Sequence, residues 1–148
     1  MANRIIYKGQ LYEAVKSNDF ALYMNNELRE DVRGIVEKHL GAQPGKAWSG
    51  AVYPGSKSIE FATYADRWPK EAVENVLGDR KKSASLKSEI RGLADKFMDK
   101  VNQSDEWPDL NFDRYTIELG EEQGDADNTK FFGVYIRFIN DKPIHYGF

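Results

Sequence analysis

Lys130-Phe131-Phe132-Gly133-Val134-Tyr135-Ile136-Arg137-Phe138-Ile139 is the stretch on which the fold turns. At strand spacing, Phe132, Val134, Ile136 and Phe138 share one face, and Phe131, Tyr135 and Ile139 share the other. A strand that is apolar on both sides belongs at the centre of its sheet, covered from both directions. If helices cover only one face of that sheet, the other is a candidate assembly surface.

The neighbouring segments supply its partners. Upstream, Asp113, Tyr115, Ile117 and Leu119 alternate with Arg114, Thr116 and Glu118, a strand joined to the first through an acidic tip over residues 120–129. Downstream, Asn140-Asp141 turns the chain into a short final strand, where Pro143 suits a sheet edge. An earlier hairpin runs through Trp48 and Tyr53 to Pro54-Gly55, which fits the centre of a type II turn. It returns over 58–65, with Ile59, Phe61 and Thr63 on one face. The N-terminal segment reads as a further hairpin reversing at Lys8-Gly9, with Tyr7, Leu11 and Val15 starting a core face.

Three helices separate these hairpins. Ser17-Asn18-Asp19 offers N-caps to a helix whose apolar stripe is Phe20, Met24, Leu28, Val32, Ile35 and His39. Gly41 sits at its left-handed C-cap and Pro44 stops it. Gly34 lies inside it, explained by close approach to a strand or partner, or simply by tolerance. Trp68-Pro69 opens a short helix with Ala72, Val73, Val76 and Leu77 inward, ending at Gly78. Residues 79–85 read as a polar connector to a third helix carrying Leu86, Ile90, Leu93, Phe97 and Val101. The order is ββ-α-ββ-α-α-ββ with a possible terminal strand. Hairpins interrupted by helices imply a mostly antiparallel sheet with helices on one face, a single α+β domain over 1–148.

The 148 residues carry a formal net charge of −3 and no cysteine. A chain of this length buries roughly 68–70% of its unfolded surface without covalent staples. Thiol nucleophiles, disulfides and thiolate zinc sites are excluded. No apolar run is long enough to span a membrane. Met-Ala-Asn-Arg-Ile-Ile-Tyr lacks the apolar core of a secretory signal, so a cytoplasmic location is expected. The charge is uneven: residues 1–78 balance, 79–100 carry +3, 104–127 carry −8 and 128–148 carry +2. An acidic segment of that strength repels phosphates and favours basic partners, metal ions or plain solvation.

Catalytic and ligand motifs fail on spacing. Residues 41–47 resemble a phosphate loop but leave a helix and enter a strand, and lack the hydroxyl after Lys46. Asp125-Ala126-Asp127-Asn128 matches a calcium loop for three positions only, because Lys130 stands where the turn glycine belongs. It reads as a hairpin tip. No Glu-x-Lys follows Pro108-Asp109 to complete a metal-dependent nuclease. His39 and His145 form no ligand-spaced pair, and His39 reads as structural. Arg80-Lys81-Lys82 is the one basic candidate for nucleic acid, without interleaved aromatics, so a solvated helix start is the simpler reading. Neither cofactor nor metal is expected.

Nineteen aromatics suggest more than packing. Taken singly, each reads as core; as a set placed in hairpins and loops, they suit an interface. The candidate interaction residues are Trp48, Tyr53, Trp68 and Trp107, with the acids Asp109, Glu121, Glu122, Asp125 and Asp127.

The opening Arg4-Ile5-Ile6-Tyr7-Lys8-Gly9-Gln10-Leu11-Tyr12-Glu13-Ala14-Val15 resembles the starts of small bacteriophage virion proteins. The long helix, Trp-containing hairpin, Tyr64-Ala65 and following helix are similar in order to neck, tail-completion or minor capsid proteins. The acidic C-terminal hairpin departs from that group. The resemblance covers under half the chain and carries over no functional residue. It implies a non-enzymatic assembly protein, in the bacterial host cell or the virion, that packs against copies of itself or neighbouring virion proteins. The alternative is a small inhibitor that offers its acidic 104–127 region to a host protein. Third stands an enzyme with dispersed catalytic residues.

Overall fold

A computed structural model describes residues 3–7, 10–41 and 48–147, with side-chain environments over 18–41 and 48–146. Strands β1 (Asn3–Tyr7) and β2 (Gln10–Lys16) lead directly into helix α1 (Ser17–Leu40). Then follow β3 (Ser49–Pro54), β4 (Ser58–Pro69), α2 (Lys70–Leu77), α3 (Arg80–Gln103), β5 (Phe112–Gln123), β6 (Thr129–Asn140) and β7 (Tyr146–Gly147). The class is α+β, in the expected order. The Lys8-Gly9 reversal, the side chains of Tyr7, Leu11 and Val15, and the segment 42–47 that resembles a phosphate loop lie outside the described residues.

The main sheet is antiparallel in the order β3-β4-β6-β5, so β6 is central and β3 and β5 are edges. β1 and β2 pair antiparallel, and β7 adds parallel to β2. All three helices cover one face of the main sheet. There Phe132, Val134, Ile136 and Phe138 of β6 are fully buried, flanked by Ile59, Phe61 and Ala65 of β4. Each such large side chain contributes about 1.5–3 kcal/mol by leaving water.

Helix α1 buries Phe20, Met24, Leu28, Val32, Val36 and Leu40. The stripe therefore keeps four-residue spacing to the end and does not shift to Ile35 and His39, which are half-buried. Four residues overshoot a helical turn by about 40°, so the buried face rotates along the axis. Its first half meets Trp107 edge-on through Phe20, at 4.9 Å between ring centroids, as well as Phe97 and Phe112. Gly41, with φ of 98°, closes the helix, and its N–H bonds the Glu37 carbonyl at 2.8 Å. Gly34 has nothing within 4 Å of a would-be Cβ, so close approach does not explain it and tolerance does.

Three local expectations are corrected. Gly55 is not in the left-handed region, so Pro54-Gly55 makes no type II turn; a three-residue loop closes by Gly55 N–H to the Ser58 carbonyl at 2.7 Å. Trp68-Pro69 ends β4, and Pro69 is the N-cap of α2, one position before the first helical place expected for it. A bulge between Ala65 and Trp68, with Arg67 at φ 64°, turns Trp68 back into the core. The connector over 79–85 is the first turns of α3, capped by the Asp79 carboxylate, which accepts from the N–H groups of Lys81 and Lys82 at 2.9 and 3.2 Å.

Two asparagines lock β5 to its surroundings. Asn102 of α3 accepts from the Phe112 N–H and donates to its carbonyl, both at 2.8 Å, as a strand neighbour would. Asn140, fully buried, accepts from Asn111 N–H at 2.7 Å and donates to the carbonyls of Lys142 and Asp109.

Candidate functional site

Among the described residues, no helix lies on the second face of the main sheet. Register places its side chains in rows across the strands. Tyr53, Glu60, Arg137 and Thr116 form one row, and Ala51, Ala62, Tyr135 and Glu118 the next. Ser49, Tyr64, Gly133 and Gly120 follow, and Phe131 with Glu122 close the end nearest the β5–β6 tip.

Two glycines shape this face. Gly120 and Gly133 are directly opposed, and the Tyr135 ring packs over both. A Cβ on Gly120 would stand 2.9 Å from a Tyr135 ring carbon, and one on Gly133 would stand 3.0 Å from its hydroxyl. Beside it, the Tyr64 and Phe131 rings meet at 5.1 Å and 36°. Tyr53, 53% exposed, extends the patch to the β3 edge. Gly120, Glu121, Glu122, Phe131 and Tyr135 enclose a recess of about 310 Å³.

The face is electronegative towards the tip. Glu60 is paired with Arg137 at 3.2 Å. Among the described residues, no cation lies within ion-pair distance of Glu118 or Glu122, whereas Glu121 has Lys130 at 3.7 Å on the helix side. Burial first, then Glu122, Tyr53, Tyr64 and Glu60, push the Tyr135 phenol above its ordinary range. Aromatic faces beside carboxylates attract cations.

The tip is tied to the β4 bulge. Asp66 accepts from Arg67 N–H at 2.7 Å and from Asp125 N–H at 3.3 Å. The Arg67 N–H holds the Asp66 carboxyl below its usual range, and the facing Asp66 raises Asp125. A second recess, about 120 Å³, lies between α1 and α3 over Leu28 and Phe97 and is bridged by Lys100–Glu27 at 2.8 Å. On the helix layer, Glu89 bonds Lys38 Nζ at 2.6 Å and contacts His39 Nε2, clasping α1 to α3.

The sequence candidates divide. Trp48, Trp68 and Trp107 are buried at 5%, 0% and 8% exposure, which removes them from the accessible surface. Trp48 and Trp68 pack edge-on against each other at 5.6 Å. Asp109 is half-buried in the segment before β5, its carbonyl accepting from Asn140. Glu121 and Glu122 belong to β5 rather than to the tip, and both line the recess. Asp125 and Asp127 are exposed in the tip, and Tyr53 stands on the open face. Arg80, Lys81 and Lys82 are exposed in the first turn of α3. Tyr64, Phe131, Tyr135, Gly120 and Gly133 complete the site; the period-two pattern of β6 was the signal for Phe131, Gly133 and Tyr135.

Fold and face together define an α+β arrangement in which, among the described residues, one face of the main sheet carries no helix. No protein-family model, no curated protein and no solved structure matches the chain. Among the described residues, no helix is long and apolar enough to cross a membrane, and no group of three or more His, Asp or Glu side chains is placed to hold a metal ion.

Proposed function

We propose that this chain is a non-enzymatic assembly protein, a structural component of a phage particle, which binds other protein chains through the open face of its main sheet. The observation that carries this reading is the contiguous patch of Tyr53, Tyr64, Phe131 and Tyr135 on a sheet face without a helix. Rigid rings with polar handles bind at low conformational cost, and that composition is typical of interface centres. The flanking carboxylates and arginine form a polar rim. The N-terminal resemblance to small virion proteins supports the phage setting. Native mass measurement across protein concentration and salt tests it. Self-association, or recovery with purified particles, that is weakened in the Tyr53→Ala/Tyr64→Ala variant is expected. A strict monomer that also fails to join particles overturns it.

A second reading draws on the exposed acids Asp125 and Asp127, held out at the hairpin tip by the Asp66 contact. It makes the chain an inhibitor that presents this tip to a basic host protein. A monomer that captures one host protein, and loses it on Asp125→Asn/Asp127→Asn substitution, is its expected signature.

A further inference from the structure

Taking the open face as the interaction surface, we infer that the recess between Tyr135 and Glu122 receives an arginine side chain from an extended segment of the partner protein. Three observations converge on it. The recess is lined by two aromatic rings, Tyr135 and Phe131, and by Gly120, which adds no side chain of its own, so a planar group can lie against a ring. Glu122, exposed and opposite Phe131 in register, supplies a carboxylate with no cation within ion-pair distance among the described residues. The surroundings at this end are acidic on balance: Glu118 lies on the same face, Asp125 and Asp127 lie at the adjoining tip, and Asp66 lies with Arg67 in the β4 bulge beside it.

Charge complementarity sets the occupant. A segment that covers this end with neutral side chains leaves Glu122 desolvated and unpaired, and an acidic one adds like-charge repulsion. A cation avoids both costs. A guanidinium fits better than an ammonium, because it is planar, stacks on a ring face and presents two parallel N–H donors to a carboxylate. The recess also adjoins β5, an edge strand, whose outer backbone groups offer a partner strand a hydrogen-bonding rail. An extended segment pairing there directs alternate side chains onto the open face, beside Glu118, Gly120 and Glu122.

The test uses the folded chain and a defined probe, acetyl-Thr-Arg-Thr-amide, against the same peptide with citrulline replacing arginine. Citrulline keeps the shape and removes the charge. Amide shifts in two-dimensional NMR are expected at Gly120, Glu122, Phe131, Gly133 and Tyr135 with the arginine peptide. Loss of one charge-assisted contact weakens binding about tenfold for the citrulline peptide, and by a similar factor for Glu122→Gln with the arginine peptide. Glu74→Gln, on α2, leaves the affinity unchanged. Equal response to both peptides, shifts confined to the helix layer or the absence of any shift overturns the assignment. Native mass measured on the same samples separates the two levels. Arginine-selective shifts in a chain that never associates leave the recess standing and remove the assembly reading. Association without arginine selectivity does the reverse.

Discussion

The two faces of β6 are made from one strand and behave as different materials. On the helix side, Phe132, Val134, Ile136 and Phe138 are fully buried and offer only apolar area. On the open side, Phe131, Tyr135 and Ile139 are half-buried and Arg137 is exposed, with carboxylates and phenols around them. The first face is organised to exclude water, the second to exchange water for another surface. Apolarity on both sides of a strand therefore marks centrality in the sheet, but not coverage by the chain itself.

Adjacent phenylalanines give the strongest way to break that contrast. Phe132→Ala opens a cavity beneath Trp68, whose ring lies 6.5 Å away, and is expected to cost about 3–5 kcal/mol. Phe131→Ala removes one ring contact with Tyr64 from a half-buried position and is expected to cost about 1 kcal/mol. Urea midpoints of the two variants decide it. Equal losses mean that the open face is structural packing and not a binding surface.

The polar groups repeat the contrast at smaller scale. Asn140→Ala strands the Asn111 N–H and two carbonyls in a buried bracket, for an expected loss of about 1–3 kcal/mol. Arg137→Ala breaks an exposed pair with Glu60, expected to cost at most about 1 kcal/mol. Denaturant unfolding at moderate and high salt sharpens the comparison, since only the Arg137 difference is expected to shrink as salt rises.

Much of this was legible in the chain, and the exceptions have physical causes. Residues 79–85 read as connector because the first turns of α3 bury nothing before Leu86, leaving no periodicity to detect; Asp79 as a cap was the available signal. Residues 120–123 read as tip because the end of β5 carries exposed acids in place of alternating apolar side chains. Trp68 was hidden by a bulge, which breaks the two-residue count. The recess escaped because it depends on Gly120 facing Gly133 across strands. Register of that kind, and the choice of face the helices cover, are properties of the assembled sheet and not of any segment.

Two phenols stand apart from the rest by their titration. Tyr115 sits on the helix side, donating to Asp95 Oδ1 at 2.8 Å; burial first, then that hydrogen bond, push its phenol up to about 12. Burial likewise carries Tyr146 to about 12, and its hydroxyl donates to the Gly55 carbonyl at 2.7 Å. Both folded values lie above the ordinary value near 10. Their contribution to stability is therefore complete below pH about 10 and is lost as pH rises through about 12. Phenolate absorbance is expected to show its two latest ionisations in the folded chain near 12, with one removed by Tyr115→Phe. Titration of all eight tyrosines near 10 before unfolding sinks this.

Glycines give the smallest effect and the clearest sign. Gly34 in α1 and Gly92 in α3 have nothing within 4 Å of a would-be Cβ, so alanine there only removes unfolded-state freedom and helix-interior cost. Each of Gly34→Ala and Gly92→Ala is expected to raise stability by about 0.8–1 kcal/mol. Gly133→Ala, on the open face, meets the Tyr135 ring at 3.0–3.2 Å and is expected to lift it, with no gain in stability and a displaced Tyr135 ring signal in NMR. The pairing matters because a helix glycine is replaceable where only solvent faces it, whereas Gly133 leaves room for the Tyr135 ring packed over it. A stabilising Gly133→Ala with the Tyr135 signal unmoved shows that the Tyr135 ring does not need the bare backbone of Gly133 beneath it.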